Sequence, residues 1–93
     1  MYNEIDEWTP GKYVTIRKKT AITDFFSLAD NNFREVVPSG TILNIVQIVK
    51  SETERRIRGK LDDGRWMSMY HLDKGYTWIQ PARTVIYFFK SRI

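Results

Sequence analysis

The sequence predicts an all-β domain in which five to six short antiparallel strands close into a small barrel or a pair of orthogonal sheets. Two observations favour this fold class. Short apolar runs alternate with turn signals along the chain, and several of these runs alternate apolar with polar residues in the strand period of two. The length of 93 residues allows one domain with a modest core. Any functional site should therefore be a shallow groove or an exposed face.

The first part of the chain predicts one regular strand and one irregular segment. Residues 11–18 alternate strictly, with Val14 and Ile16 on the same face. Residues 20–37 are less regular and predict a long loop or an irregular hairpin folded over the core. A short helix over residues 24–30 is the alternative for part of this segment.

The remaining predicted strands are each bounded by turn residues. They lie at residues 41–49, 55–61, 65–70, 76–79 and 84–89. The chain is thus divided into an acidic N-terminal arm, a barrel, and a C-terminal strand with a basic tail. These three parts are expected at residues 1–10, 11–81 and 82–93.

The turn at residues 62–64 decides which side chains of the surrounding hairpin face outward. A two-residue loop would bury Trp66 and Tyr70 and would turn Met67 and Met69 outward. A three-residue loop with its glycine in the left-handed position of a G1 bulge inverts every side chain. We favour the three-residue loop, because it buries both methionines and places basic residues beside aromatic rings.

In the favoured register the hairpin has an apolar inner face and a basic, aromatic outer face. The inner face holds Ile57, Leu61, Met67 and Met69, with Gly59 opposite Met67 and Ile57 opposite Met69. The outer pairs are Lys60 with Trp66, Arg58 with Ser68, and Arg56 with Tyr70. The next strand turns Ile79 inward and leaves its aromatic residues outside. The predicted partner-binding residues are therefore Arg56, Arg58, Lys60, Trp66, Tyr70, Tyr76 and Trp78.

The composition argues against several kinds of chemistry. The chain contains no cysteine, which excludes a disulfide, a thiolate nucleophile and a cysteine-ligated zinc ion. Ser68, His71 and Asp73 do not predict a catalytic triad, because residues three apart on a strand point to opposite faces. Asp62 and Asp63 belong to an Asp-Gly turn that is common for backbone reasons alone. We therefore expect no enzyme, no cofactor and no metal.

Charge and hydropathy bear on partners and location. The net charge of +4 permits contact with an acidic protein or with nucleic acid but does not require either. The N-terminus is acidic and lacks the apolar run of a secretory signal. The longest mostly apolar run, residues 42–49, is too short to span a membrane. We expect a soluble, intracellular protein without membrane contact.

The order of these segments resembles the SH3-like barrels, nearest to the bacterial-type SH3 domains and the related repeats of protists. The resemblance covers roughly residues 11–81. It is carried by the first strand at residues 14–24, by Pro-Ser-Gly-Thr-Ile-Leu-Asn-Ile at 38–45, by Ile-Arg-Gly-Lys-Leu at 57–61, by Asp-Gly-Arg-Trp-Met-Ser at 63–68, and by Gly-Tyr-Thr-Trp-Ile at 75–79.

This resemblance implies a five-stranded interaction barrel without intrinsic catalysis. It implies that partners dock near residues 24–36, residues 50–54, Trp66, Tyr70 and Trp78. The chain lacks the paired tryptophans and the Pro-containing strand of the eukaryotic signalling type. Binding of proline-rich peptides is therefore not part of the expectation.

The sequence thus predicts a non-catalytic protein–protein interaction module. It would be either a small subunit of a larger assembly or a compact inhibitor of a host protein, of the phage or viral type. The alternative is a small nucleic-acid-binding barrel that uses the basic-aromatic face. A third reading is a glycan or cell-wall binder, which would require export.

The strand predicted at residues 84–89 carries no charge. An exposed edge this apolar would be prone to aggregation. We therefore expect Tyr87, Phe88 and Phe89 either to pair within the barrel or to dock onto a partner or a second copy of the chain.

Overall fold

The computed structural model describes residues 8–29 and 33–82, and within them it confirms the all-β prediction. The strands are β1 (Gly11–Thr15), β2 (Lys19–Thr23), β3 (Phe33–Pro38), β4 (Ile42–Ser51), β5 (Arg56–Leu61), β6 (Trp66–His71) and β7 (Ile79–Pro81). All of them pair antiparallel in one sheet of order β3-β2-β6-β5-β4-β1-β7. The predicted strand at 84–89 and the predicted docking residues Tyr87, Phe88 and Phe89 lie outside the described residues.

The segment that leads into β7 closes the strands into a ring. The Trp78 amide donates to the Met69 carbonyl of β6 at 3.0 Å, and the Trp78 carbonyl accepts from the Ile16 amide, just after β1, at 2.9 Å. β7 itself pairs with β1. The ring therefore runs through β1, β4, β5, β6 and the segment containing Trp78.

The β2–β3 hairpin is attached to this ring at one place. Ile22 pairs with Met67, and Thr23 pairs with Trp66. On its other side β2 pairs along its whole length with β3. Of the two readings for residues 20–37, the irregular hairpin is confirmed, because a register shift lies between Ile22 and Thr23. The alternative helix is wrong for residues 24–29, of which residues 24–27 form bends and residues 28–29 are irregular.

The core lies inside the ring and is made of side chains that alternate along the strands. Its buried members are Tyr13, Ile22, Ile45, Ile57, Leu61, Met67, Met69 and Ile79. On β1 the core face is the one with Tyr13 and Thr15, whereas Ile16 is exposed. Gly59 leaves room for these side chains, since a Cβ at this position would lie 2.7 Å from the Met69 sulfur and 3.1 Å from Cγ2 of Ile45, so that both would have to shift.

The register expected for the β5–β6 hairpin holds near its turn. Gly59 pairs with Met67, Lys60 with Trp66, and Arg58 with Ser68. Gly64 has the positive φ of 92° that the expected turn requires. The predicted burial of both methionines is confirmed.

Farther from the turn, the predicted register is wrong. An irregularity between Ile57 and Arg58 shifts the pairing, so that Ile57 pairs with Tyr70 and Arg56 pairs with His71. Met69, predicted opposite Ile57, is the extra residue on β6. A bulge of this kind re-aims the side chains beyond it. It removes Tyr70 from the outer face and brings His71 beside Arg56.

Two further findings concern the described residues only. No helix among these residues is long and apolar enough to cross a membrane. No three histidine, aspartate or glutamate side chains among them are grouped so as to hold a metal ion.

Candidate partner-binding surface

Five side chains at the end of β6 form a compact group that we call the cation-aromatic cluster: Arg17, Arg56, His71, Tyr76 and Trp78. The rings of Tyr76 and Trp78 meet edge to face with centroids 4.9 Å apart. His71 lies nearly parallel to Trp78 at 6.1 Å and contacts Tyr76 at 5.2 Å. The two guanidinium groups cover the rings, with Arg17 4.1 Å from the Tyr76 centroid and Arg56 4.9 Å from that of Trp78.

The turn after β6 positions these rings. Gly75 adopts a positive φ of 76° and donates its amide to the His71 carbonyl at 2.8 Å. This conformation is inexpensive for glycine and reverses the chain. Thr77 then donates its hydroxyl to the Met69 carbonyl at 2.8 Å. As a result, Tyr76 and Trp78 return alongside β6 and reach His71.

The two arginines of the cluster differ from the other surface arginines in their partners. Arg34, Arg55 and Arg65 each form ion pairs with carboxylates. Within the described part of the chain, neither Arg17 nor Arg56 has such a pair. Their positive charge is instead held against aromatic rings, where cation–π attraction stabilises the position without neutralising the charge. Among the described residues, the cluster thus presents positive charge that is not paired with a carboxylate.

His71 adds no charge to this cluster at neutral pH. Burial is the largest effect that lowers the pKa of His71 below its ordinary value of 6.5, and the positive charges of Arg56 and Lys74 lower it further. Asp73 opposes these effects. The His71 Nδ1 atom accepts a hydrogen bond from the Lys74 amide at 3.2 Å, as a neutral ring can.

Arg58 was predicted to lie exposed on the outer face of the hairpin, and this prediction is wrong. Its side chain is 0 % exposed. Its guanidinium donates to the Thr23 hydroxyl at 2.7 Å, to the Ser68 hydroxyl at 2.9 Å and to the Phe26 carbonyl at 3.3 Å. Desolvation lowers the pKa of Arg58 to about 10. Arg58 therefore anchors the loop at residues 24–29 and is not a surface residue.

Lys60 and Trp66 form a second, smaller contact on the same side of the β5–β6 hairpin. The Lys60 ammonium lies 5.9 Å from the Trp66 ring, as expected from their pairing. Phe26 meets the same ring edge to face at 5.1 Å. Trp66 is thus partly covered by the loop that Arg58 anchors.

Tyr70 lies apart from both groups. Its ring contacts Trp8 at 6.3 Å, and Trp8 in turn contacts Tyr13 of the core at 6.0 Å. The seven predicted binding residues therefore occupy four environments. Arg56, Tyr76 and Trp78 are in the cation-aromatic cluster, Lys60 and Trp66 form a second contact, Arg58 is buried, and Tyr70 packs near the core.

The sequence interpretation missed Arg17 and His71 as neighbours of these rings. Arg17 does stand in an exposed basic run with Lys18 and Lys19, which is a visible signal in the sequence. Its contact with Tyr76 depends on the closure of the ring between β1 and β6, which no local pattern reveals. His71 reaches the cluster because of the irregularity in β5–β6 pairing.

Ser68, His71 and Asp73 are each engaged with other groups. The Ser68 hydroxyl accepts from Arg56 and Arg58 at 3.1 Å and 2.9 Å. Asp73 accepts from the Arg55 Nε at 2.9 Å. His71 accepts from the backbone, as described above.

Comparison with known proteins gives no match to this chain among protein-family models, curated proteins or solved structures.

Proposed function

We propose that the chain is a non-catalytic protein–protein interaction module whose cation-aromatic cluster binds an acidic surface of its partner. The observation that carries this proposal is the presence of two guanidinium groups, Arg17 and Arg56, that lie over aromatic rings and have no carboxylate partner in the described part of the chain. Guanidinium groups bind carboxylates with two parallel hydrogen bonds, which makes them suited to aspartate and glutamate side chains. Lys18 and Lys19, exposed beside Arg17, extend the positive charge.

The arrangement of the rings favours recognition by charge over recognition by stacking. Trp78 already contacts Arg56, His71 and Tyr76. Tyr76 is covered in addition by Arg17. Proteins that bind single-stranded nucleic acid stack successive bases on available aromatic faces. Because these rings are occupied by the protein's own side chains, an acidic protein is the better match.

Nucleic acid is the second candidate, and the uncompensated charge is the observation that favours it. Phosphate groups would also be attracted to Arg17, Lys18, Lys19 and Arg56, with an affinity that falls steeply as salt is added. A base would stack on the Trp66 ring beside Lys60, because the rings of the cation-aromatic cluster are already covered.

Absence of catalysis is part of the proposal. The hydroxyl of Ser68 lies between two arginine side chains, and His71 is held by the following turn. Neither residue is placed to activate the other. An interaction barrel of the SH3-like type, working in the cell interior, is the setting that we propose for this surface.

The proposal is tested by affinity capture from native lysate, with and without nuclease, using the wild-type chain and Arg17→Glu. Arg17 is exposed, so the change reverses the charge of the cluster without opening the core. We expect a discrete protein that is retained after nuclease treatment and is lost with Arg17→Glu.

The matched control is Lys12→Glu. Lys12 is also exposed, pairs with Asn44 on β1–β4, and has no ion pair among the described residues. It makes the same change in net charge away from the cluster and should retain the partner. Capture that disappears with nuclease, or that Lys12→Glu reduces as much as Arg17→Glu, would contradict the proposal.

A further inference from the structure

β3 is an open edge of the sheet. Among the described residues it pairs only with β2 and stands at one end of the strand order. The side of β3 that faces away from β2 therefore presents backbone N–H and C=O groups without a neighbouring strand. Such an edge is a template for another strand, and proteins commonly protect it with charged side chains.

Both charged side chains of β3 form ion pairs within the protein. Arg34 donates two hydrogen bonds to the Asp24 carboxylate, both at 2.9 Å. Glu35 lies 3.1 Å from the guanidinium of Arg65. Each charge is thus compensated within the molecule. β3 therefore offers an approaching strand no unpaired charge.

Apolar side chains are exposed along the same edge. Phe33 is 51 % exposed and Val36 is 46 % exposed. Phe25, two residues after the end of β2, is 64 % exposed. A strand that docked on this edge would remove Phe33 and Val36 from water, which favours docking. β-Branched and aromatic side chains are the best cross-strand neighbours for such residues.

The chain itself contains a segment with this chemistry. Residues 84–89, which lie outside the described part, read Thr-Val-Ile-Tyr-Phe-Phe, with Arg83 before them and Lys90 after them. The six residues are uncharged and entirely β-branched or aromatic, the composition favoured in strands. The described chain ends at Ala82, after β7, and β7 pairs with β1 whereas β3 pairs with β2. No strand pairing among the described residues joins β7 to the β3 edge, so we place the acceptor edge on another molecule.

We propose that the β3 edge accepts residues 84–89 of a second copy of the chain as an added strand. Backbone hydrogen bonds supply the attraction, and the exposed Phe33 and Val36 contact the β-branched and aromatic side chains of the incoming segment. The contact is separate from the cation-aromatic cluster, so one can fail without the other.

The test measures molar mass by sedimentation over a range of concentrations for the full chain and for two variants of Val36. Val36→Lys places a free charge on the edge, whereas Val36→Thr keeps a β-branched side chain of similar size. Both changes are at an exposed position, and circular dichroism checks that both variants fold. We expect concentration-dependent association of the wild-type chain and of Val36→Thr. We expect the dissociation constant of Val36→Lys to be higher by about tenfold or more.

A synthetic peptide of residues 83–90 identifies the occupant. Added in excess, it should dissociate the wild-type assembly, and a scrambled peptide of the same composition should not. A wild-type chain that remains monomeric at all concentrations would overturn the proposal. So would association that Val36→Lys leaves unchanged. Association that Val36→Lys abolishes but the peptide does not affect would show that two β3 edges pair with each other, which also contradicts it.

Discussion

Arg56 and Arg58 are separated by one residue on β5, yet Arg58 anchors a loop whereas Arg56 contacts an aromatic ring. Arg58 is enclosed by the loop at residues 24–29 and donates to three oxygen atoms. Arg56 is half-buried, and its guanidinium lies over the Trp78 ring and donates to the Ser68 hydroxyl at 3.1 Å. The difference arises because Arg58 lies beneath the loop and donates to the Phe26 carbonyl, whereas Arg56 lies beside Trp78. For a buried cation without a carboxylate contact, hydrogen bonds to neutral oxygen atoms offset part of the desolvation cost.

Substitution of Arg58 by lysine tests this role. A lysine ammonium cannot reach the Thr23, Ser68 and Phe26 oxygen atoms with the geometry of the guanidinium fork. We expect Arg58→Lys to lower the free energy of unfolding by about 2–3 kcal/mol, because buried polar groups lose their partners. Urea unfolding provides the measurement.

Arg34→Lys is the matched control, since Arg34 lies on the exposed edge strand in a solvent-accessible ion pair. Its unfolding midpoint should stay close to that of the wild type. An Arg58→Lys variant as stable as Arg34→Lys would refute the anchoring role of Arg58.

The elements differ in how far their sequence predicts them. The β5–β6 hairpin is predictable near its turn, because of the two possible registers only the one with Gly64 in the bulge buries both methionines. β3 is not predictable as a regular strand, since only Val37 is half-buried against the core and the sequence does not alternate apolar with polar residues along it. Alternation also identifies the face on which Arg58 lies, but it contains no information about a loop that covers this face. The contact of Arg17 with Tyr76 is equally hidden from the sequence, because it depends on closure of the ring.

His71, which precedes the turn at residues 72–75, should make the stability of the fold sensitive to pH. In the folded protein the pKa of His71 is below its ordinary value of 6.5, through burial and through Arg56 and Lys74. The unfolded chain therefore binds a proton at His71 at a higher pH than the folded chain does. Stability should be complete above about pH 6.5 and should decline as the pH falls below it.

Thermal unfolding between pH 7 and about pH 5 measures this effect, and His71→Gln should show a smaller decline over the same range. The carboxyl groups of Asp24 and Asp63 do not interfere, because hydrogen bonds from Arg34 and from Arg65, respectively, lower their pKa below 3.8. A His71→Gln variant with the same pH dependence as the wild type would contradict the assignment.

At the scale of the whole molecule, ring closure brings together charges that are far apart in the sequence. Arg17 follows β1, Arg56 begins β5, and Tyr76 and Trp78 precede β7. Only the closed arrangement of strands places both guanidinium groups on adjoining rings. The other surface arginines are meanwhile neutralised by ion pairs. Arg17 and Arg56 thus bring positive charge together at one place on the described surface, which is the basis of the proposed acidic partner.

The most direct test of this account is fluorescence anisotropy with two labelled probes of equal charge, an oligoglutamate peptide and an oligothymidylate. We expect the wild-type chain and Lys12→Glu to bind oligoglutamate with similar affinity. We expect the affinity of Arg17→Glu for oligoglutamate to be lower by at least about tenfold. Oligothymidylate should bind no more tightly than oligoglutamate, because the rings are already occupied. Tighter binding of oligothymidylate, or equal binding of oligoglutamate by Arg17→Glu and Lys12→Glu, would contradict recognition of an acidic protein by the cation-aromatic cluster.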